Sequence, residues 1–505
     1  MRSKVARRSG VLVHPTSFPG NWGIGDLGSA ARDFLDFLGQ THQKIWQVLP
    51  LGPTAEDGSP YASYSANAGN PLLISIEDLI AEGVDISVTP PGTTVSIAQD
   101  LHAVKEVKFA ALALAAKAFR SNDKLAADYD TFCAEQGEWL DDYALFMALK
   151  DSHSHKAWNQ WPPHLAQRDP SALKHASAQR GEAVDFYKFV QFAFFRQWGA
   201  LRAYAHERGI EIVGDIPFYV AFDSVDVWAN PTNFELLPDT LDPKLMAGVP
   251  PDYFSETGQL WGNPVYNWTH LENTGFEWWI KRFKLLTQHV DVIRIDHFRG
   301  FEAFWQVPHG EKTAVNGSWA KSPGMAFFHK LDQELGHLPV WAEDLGLLTP
   351  EVTDLRDAFD FPGMKVLQFA FDATGAENPY LPINFVPNFV CYTGTHDNDT
   401  VVGWWNSLTQ KHQQQVLEYT GPVLEQDIHW TMIRLAMGSV ADTVVVPLQD
   451  LLGLGTEART NVPGRAKGNW SWRYEAGAIT DDIAHKLKTM TTTFGRTVQE
   501  PAKTA

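Results

Sequence analysis

The chain is 505 residues long, 44% hydrophobic, with two cysteines and a formal charge of −19 from 41 Lys and Arg against 60 Asp and Glu. That charge repels a phosphate backbone and an anionic bilayer surface, which excludes nucleic acid and membrane as partners and leaves a neutral ligand. Cys133 and Cys391 are too few for a disulfide framework or a thiolate metal site, so a cytoplasmic setting is expected.

Arg2, Lys4, Arg7 and Arg8 precede only a three-residue apolar run, too short for a signal-peptide core. No apolar stretch approaches the roughly 18 residues that would span a bilayer. The length allows about three domains, although a (β/α) barrel with insertions reaches this size as one unit. Apolar runs at 11–14, 45–49, 210–214, 290–295, 340–343, 365–371, 389–393 and 443–448 predict eight strands. They are near-continuously hydrophobic, as parallel strands covered on both faces are.

Helical patterns fall between them, one over 30–38 stopped by Gly39 and one over 186–208 stopped by Gly209. This β-α-β order with eight strands predicts an α/β fold, a (β/α)8 TIM-type barrel, in preference to a doubly wound sheet. Residues 1–85 would be the first part of the barrel. A helical insertion follows over 86–180, with Ala-rich 101–149 set between Pro-rich segments at 89–94 and 158–170. Residues 181–221 return to the barrel, 222–285 form a loop-rich insertion serving as flap and acceptor wall, and 286–505 complete the barrel.

Gly23, Gly25 and Gly28 match G-x-G-x-x-G after a strand, but no acidic residue ends the next strand, and Asp26 inside the turn would oppose an anion. A tight turn is expected there, not a dinucleotide site. The run His396-Asp397-Asn398-Asp399 offers metal-ligand types without metal-ligand spacing. No G-x-S-x-G elbow is present, so carboxylate chemistry leads.

Asp296, Glu343 and Asp397 each stand where an apolar run ends, and together they predict one acidic site at the rigid end of a sheet. Arg294 is two residues before Asp296 and therefore on its side of the strand, where a cation lowers a carboxylate pKa by about 1–3 units. The same pair also reads as a structural ion pair. Glu343 follows Trp341 and Ala342, apolar neighbours that would raise its pKa as a general acid requires. It also reads as a helix-start residue. With Asp215 as a fourth strand-end acid, the set suits two-carboxylate sugar chemistry through an oxocarbenium-like transition state.

Several strings go further: Ser59-Pro60-Tyr61, Gly214-Asp215-Ile216-Pro217, Gly258-Gln259-Leu260-Trp261-Gly262-Asn263-Pro264, Arg294-Ile295-Asp296-His297-Phe298-Arg299-Gly300, Ala342-Glu343-Asp344-Leu345-Gly346, Gly394-Thr395-His396-Asp397-Asn398-Asp399 and Gly468-Asn469-Trp470. They resemble the 4-α-glucanotransferases called amylomaltases or disproportionating enzymes, distant members of the α-amylase superfamily. The resemblance implies a barrel with inserted subdomains and a retaining double displacement on malto-oligosaccharides and glucose, with no cofactor. It makes Asp296 the nucleophile, Glu343 the acid that becomes the base, and Asp397 the carboxylate holding the donor hydroxyls, supported by His396 and Arg294. Asp215 belongs to the same shell, and Tyr61 stacks on the donor. Tyr253, Phe254, Trp261 and Asn263 belong to the acceptor-side flap. Two departures, Ile383-Asn384 where many relatives have His-Asn and Ser322-Pro323-Gly324 where they often have Gly-Pro-Gly, leave the acids untouched. A retaining α-glucan hydrolase would use the same carboxylates, whereas a non-catalytic glucan-binding protein would have no need of all three.

Overall fold

The computed structural model describes residues 7–87, 101–251, 255–346, 348–371, 375–422, 427–465 and 467–497. Its strands are β1 (Arg8–Leu12), β2 (Ile45–Gln47), β3 (Glu211–Pro217), β4 (Leu245–Val249), β5 (Gln259–Pro264), β6 (Val292–Asp296), β7 (Ala303–Pro308), β8 (Ser318–Lys321), β9 (Val340–Ala342), β10 (Gly363–Val366), β11 (Phe389–Tyr392) and β12 (Thr443–Pro447). Eight of them make one parallel sheet, ordered β10-β11-β12-β1-β2-β3-β6-β9. Its two ends meet where the Ala342 N–H donates to the Pro362 carbonyl at 2.9 Å, so the sheet curls into a TIM-type barrel.

Each barrel strand sends one face inward and the other toward the helices. Leu12, Ile45, Val213, Val292, Trp341, Met364, Val390 and Val445, one from each strand, share the apolar cluster inside the barrel. Their immediate neighbours Ile212, Ile293 and Val444 belong to the larger cluster outside it, with Phe34, Trp46 and Trp198. Two buried faces explain why these strands read as unbroken apolar runs and not as alternation. The aromatics divide in the same way: Trp22, Trp46, Trp158, Trp198, Trp228 and Trp279 are fully buried, whereas Trp261 is 39% exposed.

All eight expected strands are present, with shifted bounds that have local causes. β1 begins at Arg8, whose N–H bonds to Asp442, and stops before His14, which caps the 3-10 turn Pro15–Ser17. The run 365–371 is strand only as far as Val366; Leu367–Phe371 is a 3-10 turn, a distinction that an apolar run cannot carry. β3 runs on to Pro217, which places Asp215 within the strand and not at its end.

The first helix, Ser29–Gln40, passes through Gly39. His42, at φ 61°, takes the left-handed position beyond the helix end that Gly39 was expected to fill. Gly209, at φ 65°, does stop the helix Gly181–Glu207.

Between β2 and β3 lie the helices Leu101–Ala118, Asp123–Ser152 and Pro170–Gln179, tied to the barrel by the buried Lys150, whose ammonium meets Asp223 at 2.5 Å. The Pro-rich segment 89–94 lies outside the described residues. The stretch 222–285, expected to be loop-rich, contains β4 and β5. These join β7 and β8 in an antiparallel sheet ordered β5-β4-β7-β8. Short strands interrupted by Gly, Pro and a register shift between Met246 and Gly248 leave little period-2 signal to read.

Candidate active site

The parallel register of β3 and β6 sets Asp215 beside Arg294 and Pro217 beside Asp296. Cross-strand neighbours point to the same side, so Arg294 lies between two carboxylates. Its Nη1 donates to Asp215 Oδ2 at 2.5 Å and to Asp296 Oδ1 at 3.0 Å. The Tyr61 hydroxyl donates to the same Asp215 oxygen at 2.8 Å. Burial disfavours the guanidinium charge, but Asp215 and Asp296 outweigh it and hold Arg294 protonated well above its ordinary value. Burial pushes the Asp215 carboxyl up, against the pull of Arg294. Replacing Arg294 by Met leaves Asp215 buried beside Asp296 without a cation. The expected loss is about 3–5 kcal/mol of unfolding free energy at neutral pH. Urea unfolding checks it, and an unchanged midpoint would contradict the pairing.

Glu343 stands one residue beyond β9, facing Asp296 across the end of β6. Its main chain continues the ladder, with Glu343 N–H to the Ile295 carbonyl at 2.9 Å and Phe298 N–H to the Glu343 carbonyl at 3.1 Å. Its carboxyl is held at both oxygens, Oε2 by the His297 N–H at 2.8 Å and Oε1 by the Leu345 N–H at 2.9 Å. Burial, then the charge of Asp296, raise this carboxyl to about 7 over the opposing effects of Arg294 and the two N–H groups. The apolar neighbours that suggested a raised value therefore act together with a second acid. His297 adopts the left-handed conformation at φ 52°, and its ring, pushed down to about 3 by burial, is neutral.

Asp397 lies in the loop after β11. Its Oδ1 accepts a 2.6 Å bond from Asn461 Nδ2, and its carbonyl accepts one of 2.6 Å from Arg459 Nη2. His396 sits beside it, its Nε2 at 3.5 Å from Asp397 Oδ2 and its ring stacked on Tyr61 with centroids 5.2 Å apart. Burial pushes the His396 imidazole down. Trp470, itself at φ 61°, lies 5.9 Å from both the Tyr61 and the His396 rings and closes this side. Asp399 Oδ2 accepts from Thr456 Oγ1, and Asn398 Oδ1 accepts from the Thr395 N–H and hydroxyl. The Asn398 side chain thus bonds within the loop, and that of Asp399 ties the loop to the 3-10 turn Thr456–Ala458.

On the opposite wall, Trp261 of β5 meets the His297 ring edge-on at 5.0 Å. Asn263 donates its amide to the Val220 carbonyl at 2.9 Å, so its nitrogen anchors the hairpin. Tyr253 and Phe254 lie outside the described residues. Asp296, Glu343, Asp215, Arg294 and Tyr61 thus share one hydrogen-bonded or electrostatically linked group, joined by His396 and Asp397 through the Tyr61 ring. Asn461, Arg459 and His297 were not singled out from sequence. Asn461 is 64 positions from its partner, and in one sequence it reads only as part of an Asn-x-Pro-Gly turn.

A family model described as 4-alpha-glucanotransferase matches residues 13–480. The chain belongs to the 4-alpha-glucanotransferase family. It is 52% identical over 500 residues to the 4-alpha-glucanotransferase of Synechocystis sp., covering 97% of this chain and 98% of that one. To the Thermus thermophilus 4-alpha-glucanotransferase it is 46% identical over 496 residues, with 96% and 98% covered. The solved amylomaltase of Streptococcus agalactiae, in complex with acarbose, superposes with a TM-score of 0.92 at 37% identity, covering 97% of this chain and 99% of that one. In this 4-alpha-glucanotransferase the glycine triplet at 23–28 is a packing device. A Cβ on Gly25 would lie 2.2 Å from the Pro15 carbonyl, and Asp26 turns to the Gly28 N–H and the buried Lys108 ammonium. Of the two departures, Ile383 is 76% exposed, and Ser322 Oγ donates to the Gly300 carbonyl at 2.6 Å. Among the described residues no helix is long and apolar enough to cross a membrane, and no group of three or more His, Cys, Asp or Glu could hold a metal ion.

Proposed function

We propose that Asp296 attacks the anomeric carbon of an α-1,4-glucan while Glu343 protonates the leaving 4-oxygen. Glu343 then removes the proton from an incoming sugar 4-hydroxyl as the glucosyl-enzyme is resolved, with the α configuration retained. The observation that carries this reading is the pairing at the ends of β6 and β9. One carboxylate is bound to a buried guanidinium, and the other is raised to about 7 by burial and by its neighbour's charge. Asp397, fixed by Asn461, holds donor hydroxyls, and Asp215 and Tyr61 complete the floor under that sugar. Trp261 forms part of the acceptor wall. Malto-oligosaccharides and glucose are the substrates this site suits, and a chain with only Cys133 and Cys391, neither in a disulfide, fits a cytoplasmic location.

Maltotriose tests the reaction. Transfer yields glucose together with longer oligosaccharides and leaves the number of reducing ends constant. Reducing ends rising in step with product would instead show hydrolysis.

A further inference from the structure

Residues 393–400 carry His396 and Asp397 from β11 to the helix Val401–Ser407. Asp397 is the exposed member of the donor group, with a side chain 47% accessible, so little packing fixes it. The two ends of its loop are bound to one group. Asp450 Oδ2 accepts from the Thr393 hydroxyl at 2.6 Å, and Oδ1 accepts from the Val401 N–H at 2.7 Å. Thr393 is 0% and Asp450 1% exposed, so neither tie competes with water.

Asp450 is placed to do this by the sheet. It lies in the short helix Leu448–Leu451 directly after β12, the neighbour of β11, with Tyr392 in register with Val445. The Val401 N–H is at the first position of its helix and has no partner within that helix, so the carboxylate supplies one and faces the positive end of the dipole. Inside the span, Thr400 caps the helix through the Gly403 N–H at 3.0 Å, and Gln368 Nε2 holds the Asp399 carbonyl at 2.7 Å. One buried carboxylate therefore sets the distance between the strand end and the helix start.

We propose that Asp450 is a positioning residue of the transfer reaction, setting the loop from which Asp397 meets the donor sugar. The proposal rests on Asp397 acting in that role. Asp450→Asn keeps both ties, because its amide oxygen accepts from Val401 and its NH2 donates to the Thr393 oxygen. Asp450→Ala removes both, and Thr393→Val removes one.

The test measures maltotriose disproportionation, and transfer from α-maltosyl fluoride for the slow variants. Asp450→Asn is expected to stay within about threefold of the parent, and Asp450→Ala to lose about 30-fold in kcat with KM changed less than about threefold. Thr393→Val should lose about fivefold in kcat, and it carries the test should Asp450→Ala fail to fold. In an Asp397→Ala background, Asp450→Ala should change the rate by less than about threefold. Equal losses from Asp450→Ala with and without Asp397, or a kcat unchanged in both Asp450→Ala and Thr393→Val, would overturn the proposal. An Asp397→Ala enzyme as fast as the parent would instead remove the donor-holding role of Asp397 and leave the losses at Asp450 to be explained by another residue of the loop.

Discussion

Replacing Asp296 with Asn is expected to reduce glucan transfer by a factor on the order of 10⁴ or more, since no second nucleophile stands at the end of β6. The fold should survive, because Asp296 is bonded to Arg294 and an amide oxygen can keep that contact. A second consequence follows from the causes of the Glu343 shift. The charge of Asp296 is the next largest contribution after burial in raising that carboxyl. In Asp296→Asn the charge is gone, so Glu343 should titrate below about 7. Infrared difference spectroscopy of the carboxyl band against pH checks this, and an unmoved titration would mean that the two groups do not sense each other. The same coupling bears on turnover. In the proposed double displacement Asp296 would become an ester in the intermediate and lose its charge, which would release Glu343 toward the carboxylate form needed to accept a proton from the next sugar.

Glu343→Gln should lower transfer between unactivated oligosaccharides by about 10²- to 10⁴-fold. A maltosyl fluoride needs no proton on its leaving group, so its first step should be affected least. Resolution of the intermediate still lacks a base, and a glycosyl-enzyme should therefore accumulate. Peptide mass mapping should find the sugar on Asp296; sugar on another residue, or equal losses for every donor, would contradict the roles given to the two carboxylates. In the parent enzyme the acid form of Glu343 is lost as pH rises through about 7, so kcat/KM should fall on the alkaline side of that value. Below it the limb is governed by the groups that must remain ionised.

Burial and sequence locality explain what could be read in advance. A barrel strand with two apolar faces reads as an apolar run, and a charged residue at its end stands out. For this reason Asp296 and Glu343 stand out without a structure, whereas Asp397 lies five residues beyond β11, within the loop that follows it. Arg294 was found because it is two residues from Asp296 on the same strand. The antiparallel sheet beside the site went unseen, because β4 and β5 are short and interrupted, and β7 pairs with β4 across a long interval.

What the amino-acid order by itself determined is the set of eight barrel strands and the chemical kinds near their ends, since each depends on contacts within a few residues or on hydrophobicity that a buried face requires. What only the tertiary structure decided are the pairings that set function. Asp215 meets Arg294 through the β3–β6 register, Asn461 and Arg459 reach Asp397 from 64 and 62 positions further along the chain, and Asp450 joins both ends of the loop that carries Asp397. Hydrogen bonds between groups tens to hundreds of residues apart leave no periodic trace in one sequence. Their partners are chosen by strand order and register, which closure of the barrel alone defines.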